Sequence, residues 1–298
     1  MKLQAFHPPA VLQGTRIISL ALNLPGPAAL KRCRQMGAAC LKFEPPAGDP
    51  MTHYNAAAYA QLHENIDIQT IDLKHEAGQQ RLHAELAATD VLITSFRPSA
   101  LAKLGLTWQA LHCQHPHLSQ VAIVGTPGAR AEEPGHDLTY LAENDLITSL
   151  DLPATLYADM GGSLMASEAV LQAVLHRRSA GEGIYLEVAL SDAAGYLALP
   201  RTWGLTQPGA AVGGGHAGYR VYRCQDGRVA LAALEPHFAA RLCAAAGIET
   251  GSSMQTMFEP ETHAAVAAFL LTRTCGQLAL LAAEKDIPLL TLPDCATQ

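Results

Sequence analysis

Apolar residues recur with two different periods along the first two thirds of the chain. Residues 16–22 (RIISLAL) form a β-branched apolar run and 39–44 (ACLKFE) a second. Residues 68–73, 91–96 (VLITSF) and 118–124 (LSQVAIV) add three more, each of a length that suits a buried strand. Helical spacing fills the gaps. Pro25-Gly26-Pro27 breaks the first run, and residues 28–37 then read as a helix that stops at Gly37. Residues 79–88 read as another helix. Residues 136–200 look helical at both ends of a strand: a long helix is predicted over 161–178, stopped by Ala180-Gly181-Glu182-Gly183, and residues 184–190 (IYLEVAL) alternate as a strand. Strands alternating with helices imply a parallel sheet with helices on both faces.

After residue 205 the pattern changes. Residues 206–218 are rich in glycine and proline and form the best linker candidate. Beyond them, 219–224 and 229–234 read as two strands joined through Gln225-Asp226-Gly227, where Asp-Gly is the hairpin signal. Helices are predicted over 236–246 and 262–272. The fold class expected is therefore α/β: a doubly wound Rossmann-like parallel sheet over residues 1–204, with a second, smaller α+β domain over 205–298. The sequence carries no internal repeat and no low-complexity tract.

Composition narrows the function classes. Hydrophobic residues make up 49% and charged residues 16% of the 298, which is ample for a core and argues against disorder. The net charge of −7 argues against nucleic acid or an anionic membrane as partner. Seven cysteines (Cys33, Cys40, Cys113, Cys224, Cys243, Cys275, Cys295) are odd in number, scattered and without a CxxC pair. That pattern suits reduced thiols better than a disulfide framework or a zinc site, so no metal is expected. Residues 1–16 hold no apolar stretch long enough for a signal peptide, and no run of eighteen apolar residues occurs, so a cytoplasmic protein without a membrane span is expected.

Individually, the polar candidates are weak. Asp159 ahead of Gly161-Gly162 and a helix is commonly just an N-cap. His136-Asp137 is, by itself, more often a surface or satisfied core pair than a catalytic one. Glu235 before Pro236 fits the first turn of a helix, where a carboxylate is favoured. Arg97 follows the fourth strand at its carboxyl end, where doubly wound sheets bind ligands, and a phosphate clamp and a solvated turn arginine explain it about equally well.

Taken in order, these segments resemble one family. Residues 14–49 give a strand, a Pro-Gly-Pro turn, a helix ending in Met-Gly-Ala, a strand, and Glu44-Pro45-Pro46-Ala47-Gly48-Asp49. Residues 91–106 (VLITSFRPSALAKLGL) follow. Ala158-Asp159-Met160-Gly161-Gly162 then leads into a helix with His176-Arg177-Arg178, Gly181-Glu182-Gly183 and, after a strand, Ser191-Asp192-Ala193. Over roughly residues 14–294 the chain is similar, co-linearly, to the family III CoA-transferase superfamily. Pro134-Gly135-His136-Asp137-Leu138-Thr139-Tyr140 and Ala233-Leu234-Glu235-Pro236-His237-Phe238 resemble its alpha-methylacyl-CoA racemase branch.

The resemblance implies His136, Asp159 and Glu235 as catalytic residues, and Arg97, Lys42, Gly161 and Gly162 as contacts for the CoA thioester. It implies no cofactor beyond that substrate, and a homodimer. Racemisation alpha to a thioester needs a base on one face of the carbon, an acid on the other, and donors for the enolate oxygen. His136 would serve one face and Asp159 the other, with Glu235 tuning either partner. Backbone N–H groups at the helix start beside Gly161-Gly162 would receive the oxygen. In a CoA-transferase the same aspartate would attack the thioester and form a mixed anhydride. A thioester-binding homologue with impaired catalysis, or one that takes its thioester on a carrier protein, is the remaining alternative. The sequence departs from the family at three places. Residues 62–68 hold Glu64 and Asp67 but no Lys or Arg, where relatives carry a basic cluster. Residues 125–130 lack an aromatic. The chain ends at Gln298, where relatives continue and fold back. The expectation is a C-terminally short member that binds CoA weakly.

Overall fold

Six parallel strands, β1 (Arg16–Ser19), β2 (Ala39–Glu44), β3 (Asp67–Thr70), β4 (Val91–Thr94), β5 (Ser119–Val124) and β6 (Tyr185–Ala189), make one sheet in the computed structural model, in the order β3-β2-β1-β4-β5-β6. The structure describes residues 9–249 and 254–294. Part of the signal-peptide reading of the N-terminus, and Cys295, lie outside the described residues. The chain divides into two compact units between Ala198 and Leu199.

The sheet forms around central strands that are buried on both faces. In β4 and β5 every residue is buried, Thr94, Ser119 and Gln120 included, as suits strands rich in Val, Leu and Ile that are covered on two faces. Side chains alternate, so neighbours in sequence enter different cores. Ile17, Ile93 and Val121 pack with Leu30 and Cys33 of the helix Pro25–Gln35 and with Ala166, Val170 and Ala173 of the helix Tyr157–Ala180. Ile18, Leu41 and Leu92 pack on the other face with Leu82 and Leu86 of the helix Glu76–Leu86 and with Leu101 and Leu111. This is the doubly wound arrangement. β1 pairs with β2 on one side and β4 on the other, and the connections leave in opposite directions there, which opens a crevice beyond the carboxyl ends of those strands.

The long helix begins at Tyr157, four residues before the predicted start at residue 161, and runs to Ala180, two residues past the predicted end at 178, with Gly181 at φ 80°. Gly161 and Gly162 are inside it rather than at its mouth. A Cβ on Gly162 would lie 2.3 Å from Leu190 Cδ2, so glycine lets this helix lie close against the helix Leu190–Leu197.

The second unit is α+β. Its strands β7 (Tyr219–Cys224), β8 (Gly227–Ala232) and β9 (Leu289–Pro293) are antiparallel in the order β7-β8-β9. The hairpin turns between Cys224 and Gly227, at the Asp-Gly pair. The helices Pro236–Ala246, Pro260–Leu271 and Cys275–Lys285 bury Leu242, Val266, Leu270 and Leu278 with Val229 and Leu231 of β8. β9 and the last helix were not expected from the sequence. Among the described residues no single helix is long and apolar enough to cross a membrane.

Candidate active site

A cavity of about 780 Å³ lies in the first unit beyond the carboxyl ends of β1, β4 and β5. The turn after β1 supplies Leu22 and Asn23, the turn after β4 supplies Ser95 and Arg97, and Gly125 follows β5. The first two turns are joined where the Leu22 N–H donates to Ser95 Oγ at 3.3 Å. His136 and Asp159 line the same cavity. Three of the seven residues singled out from the sequence are thus brought together.

Asp159 is the third residue of the helix Tyr157–Ala180, whose N-cap is Leu156, so it does not cap the helix. Its own N–H donates to Asp137 Oδ1 at 3.0 Å. Asp137 is buried and opens the helix Asp137–Glu143, with His136 as N-cap and the His136 N–H donating to Thr139 Oγ1 at 3.1 Å. Two helix starts therefore meet at one carboxylate pair. Burial pushes the Asp159 carboxyl from 3.8 up to about 6; the neighbouring Asp137 charge pushes the same way and His136 opposes it. The hydroxyl of the buried Tyr140 is raised, first by burial and then by the Asp159 charge, with Arg97 opposing. Tyr54 is raised by burial, then by Asp49 and Asp159. A Cβ on Gly125 would meet Tyr140 Oη at 2.3 Å, so glycine there gives the tyrosine its place on the wall. Tyr54, Tyr140 and Asp137 were not read as site residues. Their signal was faint: Asp137 and Tyr140 stand in the segment around His136, and Tyr54 follows the Glu44–Asp49 motif at short range.

Lys42 is placed differently from the expectation of a ligand contact. It is wholly buried in β2, and its ammonium has three acceptors: Asp49 Oδ2 at 2.5 Å, Glu44 Oε1 at 2.9 Å and His63 Nε2 at 2.9 Å. All three ammonium protons are thereby used. His63 Nδ1 lies 2.7 Å from the Tyr59 carbonyl oxygen and donates to it, which leaves the Nε2 lone pair for the lysine. Burial lowers the His63 pKa and favours this neutral form. Asp49 in turn accepts from the Met51 N–H at 2.9 Å and from the Asn23 N–H at 3.1 Å and 3.2 Å. Asn23 sits at φ 65°, a left-handed conformation that asparagine tolerates better than most residues. Both Asn23 and Met51 line the cavity, so Lys42 supports its wall from behind instead of reaching a phosphate.

Gly161 and Gly162 also differ from the expectation of an oxyanion contact. As the fifth and sixth residues of the helix they lie beyond the first four N–H groups that a helix leaves free, and an added Cβ on Gly161 would sit 3.3 Å from Leu197 Cδ1. Arg97 caps the helix Pro98–Lys103, is exposed, and makes no ion pair among the described residues. Its turn is braced by Glu132, which accepts from the Ser99 N–H at 2.6 Å and the Ser99 hydroxyl at 2.8 Å. Glu235 belongs to the second unit, where it is exposed and is the N-cap of the helix Pro236–Ala246. Asp67 begins β3 at its amino end, so this acid and the preceding Glu64 do not face a cavity built at the carboxyl ends.

Comparison with known proteins gives the same architecture and a family. The family model for CoA-transferase family III matches residues 12–296. The chain is 28% identical over 258 residues to the alpha-methylacyl-CoA racemase of Mus musculus, covering 80% of this chain and 66% of that protein. It is 30% identical over 202 residues to the succinyl-CoA–L-malate CoA-transferase alpha subunit of Chloroflexus aurantiacus, covering 61% of this chain and 47% of that one. The chain thus spans about half to two thirds of the length of the curated relatives it matches. A crystal structure of the Mycobacterium tuberculosis protein Rv3272 superposes with a TM-score of 0.84 at 22% identity, over 97% of this chain and 87% of that one.

Proposed function

Because this chain belongs to CoA-transferase family III, we propose that it acts on acyl-CoA thioesters and racemises the alpha carbon of a 2-methylacyl-CoA by 1,1-proton transfer through an enolate. One observation carries this reading. Asp159 holds its carboxyl near 6, on the wall of a cavity that His136 also lines. A group with that value is mostly ionised at neutral pH yet returns a proton readily, which is what a two-way acid–base residue needs. In the forward direction one of the pair takes the alpha proton and leaves the enolate. The other returns a proton to the opposite face, and the carbon–sulfur bond stays intact. The cavity has the size of a small-molecule site. The role of Glu235 in this chemistry is proposed on the resemblance alone.

Incubation of a 2-methylacyl-CoA with the protein in D₂O tests the reading. One alpha deuterium should be incorporated and both epimers should appear. Recovery of undeuterated, unepimerised substrate under conditions where the thioester binds would sink it. The second reading, a CoA-transferase in which Asp159 attacks the thioester carbonyl and expels the CoA thiolate, is supported by relatives of that name such as the Chloroflexus aurantiacus subunit. Exchange of CoA between two carboxylic acids, without alpha-proton exchange, would favour it.

Arg97 is proposed as the phosphate clamp, because it is an exposed cation on the cavity wall with no ion pair among the described residues. A well-formed charge-assisted contact contributes roughly 1.5–3 kcal/mol. Arg97→Ala should therefore weaken CoA binding by about 10- to 150-fold in calorimetry. Unchanged affinity would show that the arginine serves only its turn.

A further inference from the structure

We propose that Cys224, Asp226 and Cys275, in the second unit, form a binding site for one thiophilic divalent cation of the zinc type. The sequence hides the site, because Cys224 ends β7 and Asp226 stands in the β7–β8 turn while Cys275 is 51 residues away from Cys224. Folding brings Cys275, at the start of the helix Cys275–Lys285, against that turn. Both thiols are buried and the carboxylate is exposed.

The spacing is that of a coordination shell. Sulfurs about 2.3 Å from a tetrahedral metal lie about 3.8 Å apart. Cys224 Sγ and Cys275 Sγ are 3.5 Å apart, and Cys224 Sγ lies 3.8 Å from Asp226 Oδ1. All three ligand atoms fall within 4.8 Å of one another. The carboxylate is also held in place by a second group, since Asp226 Oδ1 accepts from the Cys275 N–H at 2.6 Å. Ligand carboxylates in metal sites are commonly oriented in this way by an outer hydrogen bond. The exposed side, next to Asp226, leaves the fourth position to water. A disulfide would use the two sulfurs alone, whereas a cation would also use the carboxylate that the Cys275 N–H holds beside them. Binding converts two thiols to thiolates, releases two protons to solvent, and ties the hairpin to the helix without any redox step.

The test is a titration of the full chain, reduced and freed of metal by a chelator, with Cd²⁺ as probe. One equivalent should produce a thiolate-to-metal charge-transfer band, protect two thiols from alkylation and raise the unfolding temperature. Cys224→Ser and Cys275→Ser should each abolish the band at one equivalent. Because serine at a buried position can disturb folding, Asp226→Asn supplies the second arm. It alters an exposed side chain and should keep the sulfur band while weakening Cd²⁺ roughly tenfold or more. No band at one equivalent, a band that survives both serine variants, or an Asp226→Asn protein of undiminished affinity overturns the proposal. So does conversion of both thiols to an internal disulfide in air with no metal uptake before it.

Discussion

Asp159→Asn is expected to slow alpha-proton exchange by about 10²- to 10⁴-fold, the usual contribution of a positioned acid–base group. The fold and the affinity for acyl-CoA should remain. Asparagine has the same shape, and the hydrogen bond from residue 159 to Asp137 Oδ1 uses a main-chain N–H that the substitution keeps. Near-normal exchange would remove Asp159 from the chemistry. The same variant tests the electrostatics. The wild-type carboxyl rises from 3.8 to about 6 on folding, so the folded state holds this proton more tightly than the unfolded state does. The resulting stabilisation is fully present below about pH 3.8 and is lost as the pH rises through about 6. Above that, wild type keeps a half-buried anion next to Asp137, whereas the amide has no charge to bury. Asp159→Asn should match wild type at pH 4 and exceed it at pH 8 by on the order of 1–2 kcal/mol, after discounting for solvent screening of a half-buried group. Urea unfolding at the two pH values measures this, and equal stability at both would show that the carboxyl is not strained by its site.

Lys42→Met should destabilise the protein by about 3–5 kcal/mol, the cost of leaving a buried ion pair with one partner missing. The ammonium has no solvent exposure, and it is the cation that Asp49 and Glu44 share. Lys42→Arg is not expected to rescue, because a planar fork cannot occupy a point that three acceptors surround at 2.5–2.9 Å. The damage should extend to binding: Asp49 holds the Asn23 and Met51 N–H groups, and both residues face the cavity. A change of less than about 1 kcal/mol in urea unfolding would show that the cluster can be dissolved without loss, as some buried ion pairs can.

The sheet was legible in the sequence because its central strands are buried on two faces, so they appear as short runs rich in Val, Ile and Leu. β2 fell on its expected residues, 39–44, and β4 and β5 lay within theirs. Edge elements were harder. β9 is a short strand of Leu, Thr and Pro with partly exposed positions, and the helix before it opens on Cys275-Gly276, which reads as a breaker. Gly161-Gly162 was taken for the mouth of a helix because glycine ordinarily interrupts one. Its reason, contact with Leu190 and Leu197, lies some thirty residues downstream. The candidate site was half legible. His136, Asp159 and Arg97 stood in segments with a family context, whereas a lysine inside β2 gives no hint of acceptors that arrive 2, 7 and 21 residues later. The raised carboxyl of Asp159 was equally hidden, since its causes are burial in the folded chain and, second, a carboxylate 22 residues away.

The bond between the two lips of the cavity, Leu22 N–H to Ser95 Oγ, spans 73 residues. Helices form within about a microsecond, but contacts so distant in sequence come late, after a long loop has closed. On the ribosome, β1 must wait for β4 to emerge before it has both its neighbours, and Asp159 is made later still. A nascent chain that has its first helices has as yet no cavity between them.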